Sequence, residues 1–194
     1  MSRLANRPPG GPFFLVALVA VLAAVGGYFV AMRLAERPAA ALPGDSTAAP
    51  AAAALVGQRR PDFTLADAAG NAIAAADFDG QVVLLNFWAT WCAPCVEEMP
   101  MLSLLHNDFA GRGLQVVGIA VDEPARAQSF ADGLGLDYPL LFGQGEAMLV
   151  GRRYGNASGM LPYSVLIDAG GIVRWTHLGA VTRDQLERQI AAVR

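Results

Sequence analysis

The sequence predicts an α/β domain built around a parallel pair of buried strands, and three observations carry that prediction. Residues 81–88 (QVVLLNFW) and 114–121 (LQVVGIAV) are nearly continuous apolar runs, as central strands covered on both faces must be. Between them Met99, Leu102, Leu105 and Phe109 recur at helical spacing. A strand-helix-strand order with so long a crossover implies parallel pairing and a right-handed connection. Further on, residues 163–167 and 172–176 are joined by Asp-Ala-Gly-Gly, a hairpin signal.

The elements follow in order. Residues 1–12 form a short tail carrying Arg3 and Arg7, expected in the cytoplasm. Residues 13–32 hold no charge, and at about 1.5 Å per residue a helix of that length spans the roughly 30 Å hydrocarbon core. They read as a transmembrane anchor. The run exceeds the apolar stretch of a cleavable signal peptide. The positive-inside bias is slight and favours the bulk of the chain outside. Residues 33–56 form a Pro/Ala-rich linker, where Pro38, Pro43 and Pro50 argue against a continuous helix. Residues 57–194 are long enough to bury one core. They open with a hairpin, Phe63-Thr64-Leu65 and a short strand around Ile73. After the two central strands come helices over 124–134 and 146–154, with a short strand at 140–142 between them. Pro100 falls inside the first long helix. Thr182, with Gln185 three residues on, predicts a capping box opening a last helix over 183–193.

Composition narrows the function. The chain has 194 residues, 54% hydrophobic and 16% charged, and all fourteen basic residues are Arg. From residue 38 onward ten Arg face sixteen acids, which disfavours nucleic-acid binding. Two cysteines exclude a disulfide-dense scaffold, and His106 and His177 lack the spacing of a metal site.

The chemistry concentrates at Trp91-Cys92-Ala93-Pro94-Cys95, which follows a buried strand and opens a helix. There Cys92 meets unpaired N–H groups and the positive end of the helix dipole, which favour a nucleophilic thiolate. Cys95 lies one turn on, on the same side, within reach of a redox-active disulfide with Cys92. Pro94 is tolerated because the first turn has no partner for its missing N–H. A structural disulfide more often joins distant segments. Covalent haem attachment needs His after the second Cys, and the residue here is Val96.

The run NFWATWCAPCVEEMP, residues 86–100, resembles the membrane-tethered TlpA/ResA-like thiol-disulfide oxidoreductases of the thioredoxin superfamily. The likeness covers most of residues 57–194. It implies a thioredoxin-like fold with an N-terminal β-hairpin and a central helix-strand insertion at about 124–145. It also implies a cis-proline facing the cysteines, at Pro162, with the Leu161 backbone pairing an extended substrate segment. Gly159 stands three residues before this proline rather than two, and Tyr163 replaces the commoner Thr. The family's acid three residues after the second cysteine is Glu98, which lies within about 60° of Cys95 on a helix and is placed to shuttle its proton. Thioredoxins place an acid in the preceding strand, where this chain has Asn86. Trp91, Pro94 and Leu161 are expected to contact substrate, while Trp88 is expected in the core.

The implied function is an extracytoplasmic, single-pass protein of the bacterial inner membrane. It would reduce disulfides in other envelope proteins, such as apocytochromes c, and be recharged by a membrane electron donor of the DsbD/CcdA type. The two sulfurs do the chemistry with no cofactor and no metal. Two rival classes are weighed. A copper chaperone on this fold uses a wider cysteine spacing and a distal His. A peroxiredoxin-type peroxidase needs a Pro-x-x-x-Thr setting before its Cys.

Overall fold

The computed structural model describes residues 48–193. The tail, the apolar run 13–32 and the linker as far as residue 47 lie outside the described residues. Among the described residues no helix is long and apolar enough to cross a membrane.

Seven strands form one sheet: β1 (Thr64–Ala66), β2 (Ala72–Ala74), β3 (Val82–Trp88), β4 (Leu114–Ala120), β5 (Leu140–Phe142), β6 (Tyr163–Ile167) and β7 (Val173–Leu178). Their spatial order is β2-β1-β5-β4-β3-β6-β7. The β3–β4 pair is parallel, as the apolar runs and their helical crossover predict, and the β4–β5 pair is parallel as well. The β1–β2 hairpin and β6 and β7 run antiparallel to their neighbours. Register sets Asn86 of β3 between Gly118 of β4 and Ser164 of β6.

The helices are α1 (Ala48–Leu55), α2 (Ala93–Phe109), α3 (Pro124–Leu134), α4 (Gln144–Arg153) and α5 (Arg183–Ala192). Alternation along the strands splits the core into two halves. Val83, Leu85 and Phe87 face Val150 and Tyr154 from the α4 side. Val82 and Leu84 face Leu102 and Leu105 of α2 and Leu186 and Ile190 of α5, while Trp88 packs with Met99 of α2 and Ala127 and Ala131 of α3. Both faces of β3 are thus covered, which is why its sequence does not alternate.

Two local expectations change. The linker ends in helix: Pro50 is the third residue of α1, in the first turn, where a missing N–H costs nothing. Gly155 makes room for this helix, since a Cβ there would stand 2.7 Å from the Ala52 Cα. The capping box before α5 is half formed. Thr182 accepts from the Gln185 N–H, but the Gln185 amide turns to His177 instead of returning to the cap. The N-terminal end of the insertion is bounded by a stronger cap, Glu123, whose carboxylate accepts from Ala125 N and Arg126 N at the start of α3.

Candidate active site

Strand β3 ends at Trp88, and four residues later Cys92 is the N-cap of α2, with its carbonyl accepting from Cys95 N and Val96 N. Cys92 and Cys95 form a disulfide across a Cα–Cα distance of 5.3 Å. Cys95 is fully buried and Cys92 is 6% exposed, so Cys92 is the sulfur a partner reaches first. Trp91 beside it is 66% exposed, an uncommon degree for a side chain of that size. Pro94 is exposed at the head of the helix. Trp88 is fully buried, in the core as expected.

The loop before the cysteines is anchored by Asp122, at the end of β4. Its carboxylate accepts from Thr90 N at 3.0 Å, from the Thr90 hydroxyl, and from Glu123 N. Burial pushes this carboxyl up, but the Thr90 and Glu123 donors outweigh it and hold it below the usual carboxylate range. Asp122 escaped the sequence reading; an acid immediately after an apolar strand was the available signal.

The Leu161–Pro162 peptide bond is cis, and Leu161 packs against the cluster that holds both cysteines, Trp88 and Met99. The loop is held from behind by Asn156, whose amide donates to the Met160 carbonyl at 2.9 Å. The Pro162 carbonyl accepts from Gly179 N. The structure therefore brings Cys92, Cys95, Trp91, Leu161 and Pro162 to one end of the sheet.

Glu98 lies one turn beyond Cys95, and only 4% of it is exposed. Its two oxygens accept from Asn86 Nδ2 at 2.7 Å and from Val181 N at 2.8 Å. Burial raises its pKa above the ordinary value, opposed by the hydrogen bonds from Val181 and Asn86. A carboxyl so poised exchanges its proton closer to neutrality than a surface acid does. Asn86 also donates to Ser164 Oγ at 3.2 Å. The neutral amide thus takes the strand position and the carboxyl reaches it from the helix, a link that sequence spacing alone did not reveal. Neighbouring Glu97 is exposed. His106 packs edge-on against Tyr138, and His177 stacks on Trp175.

A mixed sheet with a Cys-x-x-Cys disulfide at a helix N-terminus, beside a cis-proline, defines a thioredoxin-fold thiol-disulfide oxidoreductase. Comparison with known proteins narrows this. Residues 56–176 match the AhpC/TSA family. The thiol-disulfide oxidoreductase ResA of Geobacillus kaustophilus is 33% identical over 143 residues, covering 73% of this chain and 80% of its own length. Among solved structures, a Chlorobium tepidum protein assigned as thiol:disulfide interchange protein DsbE superposes with a TM-score of 0.64 at 31% identity, over 71% of this chain and 96% of its own. A secreted thiol-disulfide isomerase of Corynebacterium glutamicum superposes with a TM-score of 0.59 at 29% identity, over 69% and 81%. The chain belongs to the AhpC/TSA family and, within the thioredoxin superfamily, to the TlpA/ResA-like thiol-disulfide oxidoreductases.

Proposed function

We propose that this oxidoreductase is anchored in the bacterial inner membrane by residues 13–32 and reduces disulfides in other envelope proteins on the extracytoplasmic side. The observation that carries the reading is the Cys92–Cys95 pair at the start of α2, with the more accessible sulfur beside an exposed Trp91 and a half-buried Leu161. In the reduced state the Cys92 thiolate attacks a substrate disulfide. A mixed disulfide forms and the first substrate thiolate leaves. Cys95 gives its proton to Glu98 and attacks the Cys92 sulfur, releasing the second substrate thiolate and leaving the enzyme oxidised. Two electrons pass to substrate in each cycle.

Trp91, Pro94 and Leu161 dock the substrate, with the Leu161 backbone pairing an extended segment next to Pro162. A membrane dithiol carrier of the DsbD/CcdA type restores the reduced state, and apocytochrome c is the substrate class the family suggests. The uncharged run 13–32 supports the anchor, and the secreted Corynebacterium relative supports the location.

Insulin reduction by the full chain in detergent tests the chemistry. Cys92→Ser abolishes turnover, and Cys95→Ser accumulates mixed disulfides whose captured proteins identify the substrates. Equal turnover by Cys92→Ser and the unaltered chain removes the mechanism. Alkaline phosphatase fused after residue 56 is active if the domain is extracytoplasmic, and an inactive, stable fusion removes the location.

A further inference from the structure

Three buried polar atoms gather on the α2 face of the sheet: Asn86 Oδ1, Trp88 Nε1 and the Tyr138 hydroxyl. None has a hydrogen-bond partner among the described residues. Asn86 and Trp88 are fully buried and Tyr138 is 4% exposed. An unpaired group at such depth carries a desolvation cost of about 1–3 kcal/mol, so three in one place are rarely left unsatisfied.

They share a neighbourhood. Gly118 pairs with Asn86 across the β3–β4 register. A Cβ on Gly118 would stand 3.0 Å from Tyr138 Cε2 and 3.2 Å from Trp88 Nε1. The Leu140 side chain, 2.6 Å from the same point, fills the place of the missing side chain, so the glycine lets the indole N–H and the phenol ring close in over the β3–β4 pair beside Asn86. Glu98 borders the same region through its bond to Asn86. An ionised carboxylate offers about four acceptor positions, and Asn86 and Val181 use two. The Tyr138 phenol feels the Glu98 charge, which adds to the burial that pushes its own titration up.

We propose that Trp88, Tyr138 and Asn86 form, with Glu98, a binding site for buried water, and that this water carries the Glu98 proton toward Tyr138 and out of the protein. The site offers donors from the indole and phenol and acceptors from the amide oxygen, phenol and carboxylate, which meets a buried water's need for two to four partners. Tyr138 also lines an open cavity of about 780 Å³ between α3, β5 and the β1–β2 hairpin. None of Trp91, Cys92, Cys95, Leu161 and Pro162 lines that cavity.

The arrangement solves a problem posed by the reaction. A protein docked over Cys92 covers the mouth of the site. The proton taken from Cys95 by Glu98 then needs another exit before the next turnover. Water between Glu98 and Tyr138 supplies it, and Tyr138 acts as a positioning residue without touching substrate. This rests on Glu98 being the proton acceptor of Cys95. Cys95 lies one turn before Glu98 on α2, Tyr138 acts on it from the segment before β5, and His177 of β7 stands opposite Ser164, which shares Asn86 with the carboxyl. His106 lies behind Tyr138, and Asp137 acts on His106.

Three readings test it in the full chain. In the unaltered protein the Trp88 indole proton gives a magnetisation-transfer cross-peak to water. In Tyr138→Phe the Glu98 titration, followed by NMR of labelled glutamate, moves up by about half a pH unit or more, because a donor network that favours the carboxylate is lost. In the same variant kcat for insulin falls about threefold or more with KM unchanged. An indole with no water cross-peak, an unshifted Glu98 titration in a folded variant, or an unchanged kcat overturns the proposal. If Tyr138→Phe does not fold, the cross-peak in the unaltered chain decides alone. The underlying role of Glu98 fails separately, if Glu98→Gln reduces insulin at the unaltered rate.

Discussion

Replacing Asn86 by alanine removes one partner of the buried carboxyl and leaves the cysteines untouched. The Asn86–Glu98 bond is 2.7 Å long and joins two buried groups. A hydrogen bond to a charged partner is worth about 1.5–3 kcal/mol, and the weaker Asn86–Ser164 contact adds about 1 kcal/mol. The expected loss of stability is therefore about 3 kcal/mol at pH 8. Its pH dependence separates this account from simple loss of packing. The folded pKa of Glu98 is raised, so its stability contribution is full below the ordinary carboxyl value and is lost as pH rises through the folded value. Asn86→Ala removes a group that favours the charged form and pushes the folded value higher. The variant goes on losing stability after the unaltered protein has levelled off. Near pH 4 the carboxyl is protonated in both proteins, and a neutral hydrogen bond is worth about 1 kcal/mol less than a charged one. Urea denaturation of the oxidised proteins, followed by tryptophan fluorescence from pH 4 to 8, reads the difference. A destabilisation that is flat with pH refutes the reasoning.

Other outcomes follow from the same geometry. Asp122→Ala frees Thr90, two residues before Cys92, and lowers stability by about 2 kcal/mol at neutral pH in urea titrations. Because the folded Asp122 pKa is lowered, its contribution is present above the ordinary carboxylate value and is lost as pH falls through the folded value, so the variant converges on the unaltered protein in acid. Gly118→Ala puts a methyl 2.6 Å from Leu140 Cδ2 and 3.0 Å from the Tyr138 ring, costing about 1–3 kcal/mol by overpacking, measured as a fall in Tm. Thr182→Ala removes the cap of α5 and costs about 1 kcal/mol by the same measurement.

The strands and helices that carry the site were legible because their signals are strong and local. The runs at 81–88 and 114–121 are apolar on both faces, and the Met99, Leu102 and Leu105 stripe has the helical period. The Cys-x-x-Cys pair is informative because of the strand before it and the helix after it. What stayed hidden depends on register and on chain folded back from afar. Nothing local in the sequence says that Asn86 meets Glu98, that Val181 closes on the same carboxyl, or that Tyr138 of the insertion lies over Gly118. The α1 helix was obscured by Pro50, whose effect depends on whether it falls in a first turn or later.

The Val181–Glu98 bond has a consequence for how deletions should be read. Val181 is the last residue before the α5 cap, so the carboxyl is fastened to the C-terminal helix as well as to the central strand. By reciprocity, anything that frays the end of the polypeptide withdraws a donor from that acid, and protonating the acid in turn loosens the tail's attachment. A truncation beyond residue 180, far from either sulfur in sequence, would therefore register first as an altered proton affinity at the redox centre.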